Sequence, residues 1–142
     1  YRGRILGWDL GSDGALRHLL HADVGGTIEM DGPEVFRRAV RIMVDSASKT
    51  LASAGVTIDD VDLVVPHQAN TRIIQAACDR LGIGMDKAAI VLDKTGNTSS
   101  ASIPLALVDA IENDRVHEGD LVLLVGFGAG MTAASAVIRW GG

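Results

Sequence analysis

The chain has 142 residues, of which 47% are hydrophobic and 17 are glycine, and its formal net charge is −5 at pH 7. This length and apolar content suit one domain with its own core and exclude a disordered chain. The acidic balance and the lack of a basic tract argue against nucleic acid and against an anionic membrane surface as partners.

The single cysteine and the length of the apolar runs indicate the cellular compartment. Cys78 can form no intrachain disulfide, which fits a reducing compartment. The longest apolar run, residues 121–131, is too short to span a bilayer core of ~30 Å. The first residues, Tyr1 to Arg4, lack the pattern of a secretory leader. We therefore expect a cytoplasmic protein that does not enter a membrane.

The first third of the chain predicts a strand, a long connection and a helix. Residues 4–10 read as the first strand. Residues 11–32 are rich in Gly and Asp without clear periodicity, which predicts a long loop of the kind that is usually functional. A helix is predicted over 33–54, because apolar residues recur at the spacing of one helical face. Pro33 suits its first turn and Gly55 its end.

The rest of the chain predicts four strands and two helices. Strands are expected at 62–65, 89–92, 121–125 and 132–139, and helices at 70–81 and 99–113. Gly82 ends the first of these helices, and Pro104 is expected to kink the early turns of the second. The last two strands are joined too tightly for a helical crossover, so the final strand must be antiparallel to its predecessor.

This order of elements, βαβαβαββ, predicts the fold class. We expect an α/β domain over residues 1–142, with helices packed on a five-stranded, mixed, mostly parallel sheet that has one antiparallel strand at its edge. No linker or internal repeat divides the chain.

Two short segments dominate the sequence: Pro66-His67-Gln68-Ala69-Asn70 and Gly96-Asn97-Thr98-Ser99. Each follows a predicted strand and precedes a predicted helix. His67 and Asn97 should therefore emerge at the carboxyl ends of parallel strands, where ligands bind in such sheets. Asn is always a neutral hydrogen-bond donor, and a neutral His donates from one ring nitrogen when the other is held. The pattern predicts two neutral donors presented together.

These segments, with the runs from Met30 to Arg37 and from Gly126 to Gly130, resemble the carboxy-terminal half of β-ketoacyl-acyl-carrier-protein synthase III. The resemblance implies a thiolase fold, in which two similar βαβαβαββ halves pack together and the enzyme is a homodimer. This chain would be one complete half. The nucleophilic cysteine would lie in the amino-terminal half, which this sequence lacks.

The resemblance also implies a reaction, a decarboxylative Claisen condensation of an acyl-CoA primer with malonyl acyl carrier protein (ACP), without a cofactor. Such a step initiates fatty acid or polyketide synthesis. His67, through Nε2, and Asn97, through its amide, match the family pair that stabilises the enolate oxygen. Asn97 in place of a second His argues against the chain-elongating synthases of the same fold. The backbone N–H of Ala129 matches a group that holds the acyl thioester oxygen.

A carrier-binding surface is implied as well. Its residues would be Gln68, Ala69, Asn70, Thr71 and Arg72, and a small basic patch here would steer an acidic ACP. The arginines at 37, 38, 41 and 80 would extend that patch or form an ordinary solvated face. Phe36 would line the substrate channel, although helical periodicity alone makes it a core residue.

Other reactive side chains have simpler interpretations. Cys78 lies on an apolar helix face, so we expect a buried, inert thiol. His18 and His21 lack the carboxylate or cysteine neighbours of a metal site, and we expect solvated loop histidines and no bound metal. His117 should be exposed in a turn. The serines at 99, 100 and 102 are expected to supply hydrogen bonds at a helix start.

Two alternatives remain open at this point. One is a related CoA-dependent enzyme of the same fold, such as a plant-type polyketide synthase or a specialised acyltransferase. The other is a noncatalytic module that binds acyl carriers or serves in assembly. The segment from Gln68 to Arg72 favours the carrier-dependent enzyme over the first.

Overall fold

A computed structural model describes residues 3–141, so the expectation about a leader at Tyr1 and Arg2 lies outside the described residues. None of the helices in this range is long and apolar enough to cross a membrane. The strands are β1 (Arg4–Ser12), β2 (Leu20–Ala22), β3 (Ile28–Met30), β4 (Leu63–Pro66), β5 (Leu121–Gly128) and β6 (Thr132–Arg139). The α-helices are α1 (Gly32–Ala54), α2 (Thr71–Leu81), α3 (Leu92–Thr95) and α4 (Ser102–Glu112).

The main sheet is mixed, as predicted, with the strand order β1-β6-β5-β4. β4 is parallel to β5, and β6 is antiparallel to both β5 and β1. The antiparallel strand therefore lies inside the sheet and not at its edge, which corrects the expectation. Only residues 129–131 connect β5 to β6, so β6 must return directly beside β5 and leaves its outer side to β1.

The predicted fifth strand, residues 89–92, is not formed as a strand. Ala88 makes a single parallel bridge to Val64, and the Ala89 N–H donates to the Val64 carbonyl at 2.8 Å. Pro66, two residues further along β4, has no N–H to continue the ladder. The segment still lies beside β4, but without regular pairing.

The connection between β1 and α1 is more ordered than predicted. A 3₁₀ helix, Gly14–Leu19, is followed by a small antiparallel hairpin of β2 and β3. Each of these strands has three residues, which is too short for an alternating pattern to show in the sequence. The expectation of a loop without secondary structure was wrong.

Helices cover both faces of the main sheet. α1 is capped by Asp31, whose carboxylate accepts from the Glu34 N–H at 3.1 Å, and ends at Gly55 with φ 69°. These ends agree with the prediction. α1 and α2 bury one face of the sheet around Met43, Ile74 and Leu123.

α4 covers part of the opposite face, above β4 and β5, around core residues that include Val65, Ala106 and Val122. It begins at Ser102, so Pro104 lies in its first turn, where a backbone N–H has no partner within the helix. The helix predicted over 99–113 is thus divided into a 3₁₀ turn, Ser99–Ala101, and α4, and the missing N–H of Pro104 costs α4 no internal hydrogen bond.

Candidate active site

A cleft of about 1120 Å³ opens at the carboxyl ends of β4 and β5. The β2–β3 hairpin, the start of α1 and the turn between β5 and β6 form its walls. His67, Asn97, Phe36 and Ala129 all line it. The structure therefore brings into one cavity the predicted donor pair, His67 and Asn97, and the residues predicted for the substrate channel and the acyl thioester, Phe36 and Ala129.

His67 follows β4 and is held at several atoms. Its backbone N–H donates to the Val125 carbonyl at 2.8 Å, and its ring nitrogen Nδ1 lies 2.6 Å from the Ser102 hydroxyl. Its ring packs against Phe127 in a T-shaped arrangement, with ring centroids 5.6 Å apart and planes at 66°. Partial burial lowers the pKa of His67 below its ordinary value, which favours a neutral imidazole.

The Ser102 hydroxyl is the hydrogen-bond partner of His67 Nδ1. Ser102 is fully buried, and its oxygen accepts the Gln68 N–H at 3.2 Å. Nδ1 is the acceptor that the structure offers to the single hydroxyl hydrogen. A neutral imidazole has one N–H, so a hydrogen bond accepted at Nδ1 leaves that proton on Nε2.

This contact of Ser102 was not predicted from the sequence, in which Ser102 was expected only to supply hydrogen bonds at a helix start. A signal was present in the spacing, because Ser102, Ala106 and Ala110 recur every four residues along α4 and are all fully buried. The first residue on that stripe is the one that faces the end of β4. A hydroxyl on an otherwise apolar buried stripe calls for a polar partner.

Asn97 follows α3 and Gly96, which has φ 65°. Its side-chain oxygen accepts the Ser99 N–H at 2.9 Å, and this fixes the orientation of the amide. Within residues 3–141, Nδ2 makes no hydrogen bond, and Asn97 is exposed along the cleft. The amide therefore presents its N–H groups as free donors.

Residues 126–129, at the end of β5 and in the turn after it, line the cleft. β5 extends to Gly128, three residues beyond its predicted end, and Ala129 is exposed at the turn. Ala129 has no positive φ, so an alanine adopts this backbone without the strain that would favour glycine. The Thr132 hydroxyl donates to the Ala129 carbonyl at 3.2 Å and ties the turn to β6.

The segment predicted to bind the carrier divides into buried and exposed parts. Gln68 is fully buried with its amide bonded to backbone groups, so it offers nothing to a partner, and its assignment to a binding surface was wrong. Ala69 is half-buried in the cleft wall. Asn70 caps α2 by accepting the Arg72 N–H at 2.8 Å, while Thr71 is exposed.

Arg72 lies at the rim of the cleft. Its guanidinium carbon is 5.9 Å from the centroid of the Phe36 ring, which itself lines the cleft. Within the described part of the chain Arg72 makes no ion pair. Arg37 and Arg38 both bind Glu34, and these hydrogen bonds lower the pKa of its carboxyl. Arg72 is therefore the least compensated of these three cations.

Most of the remaining reactive side chains lie outside the cleft. Cys78 is buried in the core, as predicted, and burial, with a smaller contribution from Asp79, raises the pKa of its thiol to about 11. His117 is exposed, also as predicted. His21 differs from the expected solvated loop residue, because it lies in β2 and forms part of the cleft wall. Residues 3–141 hold no group of three or more potential metal ligands.

Comparison with known proteins places the chain in a family. The model of the family described as 3-oxoacyl-[acyl-carrier-protein (ACP)] synthase III, C terminal, matches residues 51–140. The chain belongs to this family. The β-ketoacyl-ACP synthase III of Staphylococcus saprophyticus is 48% identical over 138 residues, which are 96% of this chain and 44% of that protein. That of Listeria innocua is 50% identical over 137 residues, with the same coverage.

Solved structures of synthase III proteins agree. The enzyme from Aquifex aeolicus superposes with a TM-score of 0.96 at 43% identity, covering 99% of this chain and 46% of that one. The enzyme from Thermus thermophilus gives 0.91 at 46% identity, with 97% and 46% covered. The predicted α/β thiolase-like fold is thereby confirmed. The chain spans less than half the length of these synthase III relatives.

Proposed function

We propose that this chain is the carboxy-terminal half of a cytoplasmic synthase III enzyme that condenses an acyl-CoA primer with malonyl-ACP. One observation carries the proposal: His67 and Asn97 line the same cleft, and each has one polar atom engaged internally while a neutral N–H remains available. Two such donors suit an oxygen that gains negative charge during a reaction.

The proposed reaction has two stages. A cysteine thiolate first attacks the carbonyl of the acyl-CoA, and the CoA thiolate leaves. Malonyl-ACP then enters, and the bond to its carboxylate breaks to release CO2, with the electron pair passing into the thioester as an enolate. The enolate carbon attacks the enzyme-bound acyl carbonyl, forms the new carbon–carbon bond and expels the cysteine thiolate.

His67 and Asn97 would act at the enolate stage. The N–H groups at Nε2 and Nδ2 would both donate to the thioester oxygen as its charge develops, and one such donor is worth roughly 3 to 4 kcal/mol. A lysine would instead bind the malonate carboxylate before reaction and oppose its departure. The lowered pKa of His67 supports this scheme, because it favours the uncharged donor.

The backbone N–H of Ala129 would serve the other carbonyl. Ala129 is exposed at the cleft, in the turn between β5 and β6. In the proposed scheme it donates to the acyl thioester oxygen during transfer to and from the cysteine. Phe36 and the other apolar residues of the cleft would border the acyl and pantetheine chains.

An uncovered apolar surface supports the view that this chain is half of a larger unit. Trp8 and Leu10 of β1 are 64% and 70% exposed, although both belong to the sheet face on which α4 packs. Leu105, Val108 and Ile111 of α4 are exposed as well. We propose that the amino-terminal half covers it and supplies the nucleophile, and that the complete enzyme is a homodimer.

The isolated chain should therefore be unable to accept an acyl group. Cys78 is buried, and its raised pKa leaves almost no thiolate near neutral pH. After incubation of purified residues 1–142 with acyl-CoA, intact-mass measurement should show no acyl adduct. An adduct on Cys78 would contradict both the core assignment and the inactivity of this half.

A carrier-dependent reaction and a CoA-dependent one can be separated by substrate choice. The exposed Arg72 at the rim favours the carrier, because an acidic ACP would approach an uncompensated cation. The complete enzyme, loaded with a short acyl group, should condense malonyl-ACP at least about 10-fold more efficiently than malonyl-CoA, a ratio within the range of electrostatic steering. Equal efficiencies would favour the CoA-dependent alternative. Failure to condense either would favour the noncatalytic module.

A further inference from the structure

Gln68 stands out among the buried polar side chains because its amide joins two separate segments. Nε2 donates to the Pro66 carbonyl at 2.8 Å and to the Ala89 carbonyl at 3.0 Å, while Oε1 accepts the Val91 N–H at 3.0 Å. Both amide hydrogens and the oxygen are satisfied, as the burial of an amide requires. The side chain therefore connects the end of β4 to residues 89–91.

This amide lies where a regular parallel ladder would otherwise run. The bridge between Val64 and Ala88 sets the register. In that register the next pair of bonds would run from Pro66 N–H to the Ala89 carbonyl and from Val91 N–H to the Pro66 carbonyl. Pro66 has no N–H. Gln68 supplies the missing donor to the Ala89 carbonyl and accepts the Val91 N–H, so its amide replaces the direct ladder bonds between the two segments.

Gln68 also forms hydrogen bonds with the segments that position His67 and Asn97. On one side, Val91 begins the turn of α3, since its carbonyl accepts the N–H groups of Lys94 and Thr95 at 2.9 Å, and α3 leads directly to Asn97. On the other side, the backbone N–H of Gln68 donates to Ser102, whose hydroxyl contacts His67.

We infer that Gln68 is a positioning residue that sets the separation between His67 Nε2 and Asn97 Nδ2. The inference rests on the proposed function, because it concerns the same two donors. Replacement of the amide would leave the local geometry of the Asn97 turn intact. It would, however, shift α3, and Asn97 with it, relative to β4 and His67. The two N–H groups would then no longer converge on one oxygen.

The test uses two rates measured on the same preparation of the complete enzyme. Acyl transfer from acyl-CoA to the cysteine and release of CO2 from malonyl-ACP both scale with the amount of folded protein, so their ratio is insensitive to partial unfolding. We expect Gln68→Met to lower the ratio of decarboxylation to acyl transfer about 100-fold, the scale of a misplacement near 1 Å. The loss should fall on kcat for malonyl-ACP, with little change in KM.

Two further variants complete the design. Gln68→Asn retains an amide but is one methylene too short to span the gap, so it should lower the ratio as well, and it replaces Gln68→Met if that variant does not fold. Thr50→Val is the matched control, because Thr50 is equally buried but bonds Ser135 between α1 and β6, away from the cleft. It should reduce stability while leaving the ratio unchanged.

A ratio within about 2-fold of the wild-type value in a folded Gln68 variant would overturn the inference, since it is far from the 100-fold effect of misplacement. In that case a purely structural role would explain any loss of stability. His67→Ala and Asn97→Ala, measured in parallel, distinguish this failure from that of the proposed function. If they lower the ratio, only the inference about Gln68 fails. If they leave the ratio unchanged, the proposed function fails and the inference falls with it.

Discussion

Replacement of His67 or Asn97 by alanine in the complete enzyme should slow decarboxylation of malonyl-ACP by about 100- to 1,000-fold, the cost of removing one oxyanion donor. Acyl transfer from acyl-CoA should stay within about 3-fold of the wild-type rate, because that step depends on other donors. The physical reason is that each residue in the proposed site keeps one N–H for the enolate oxygen while its other polar atom is engaged, His67 Nδ1 with Ser102 and Asn97 Oδ1 with the Ser99 N–H. CO2 release and intact-mass measurement of the acyl-enzyme report the two steps separately.

Matched controls are available at the other end of the sheet. His117 and Asn113 are exposed and do not line the cleft, so their alanine variants should leave both rates unchanged. If His67→Ala and Asn97→Ala reduced acyl transfer as strongly as decarboxylation, the two residues would not be specific to the enolate stage.

Charge reversal at Arg72 should raise the KM for malonyl-ACP by about 10-fold or more, the lower end of the range for electrostatic steering. Arg72 is exposed at the rim, lies over Phe36 and makes no ion pair within residues 3–141. An acidic carrier would therefore meet repulsion at this position in the Arg72→Glu variant. Steady-state kinetics with ACP and CoA substrates should show a much smaller effect on acyl-CoA loading.

Arg80 provides the control on the same helix. It lies about 12 Å from Arg72 along the axis of α2, from the helical rise of 1.5 Å per residue. Arg80→Glu changes the net charge equally but away from the rim, so its effect on the KM should be smaller. The difference between the two variants should shrink as salt is added, because salt screens exposed charges. Unchanged carrier kinetics in Arg72→Glu would remove Arg72 from the interface.

Local signals in the sequence explain why several elements could be predicted. The long amphipathic pattern of α1, closed by Pro33 and Gly55, indicates one helical face and two ends, and the structure agrees. β6 begins and ends where the pattern placed it. Its position inside the sheet could not be read, because the choice of β1 as its second neighbour depends on how distant parts of the chain pack.

The candidate site was predictable only in its outward-facing residues. His67 and Asn97 follow apolar runs and belong to a specific motif, so their place in a shared cleft was foreseen. Gln68 and Ser102 were misjudged, because polarity normally indicates a surface position and the sequence does not show which polar side chains find buried partners. Pro66 was the available clue, since a proline at the end of a strand leaves the neighbouring carbonyl without its donor.

The uncovered face formed by Trp8, Leu10 and the outer side of α4 indicates that the topological unit and the independently stable unit are not the same here. In the proposed enzyme this chain is one of two similar topological units, yet its uncovered apolar surface would be costly to leave in water. In the proposed complete enzyme, each half would therefore bury an apolar surface of the other. Cooperative folding would then extend across the junction, and the unit on which selection for stability acts would be the pair of halves.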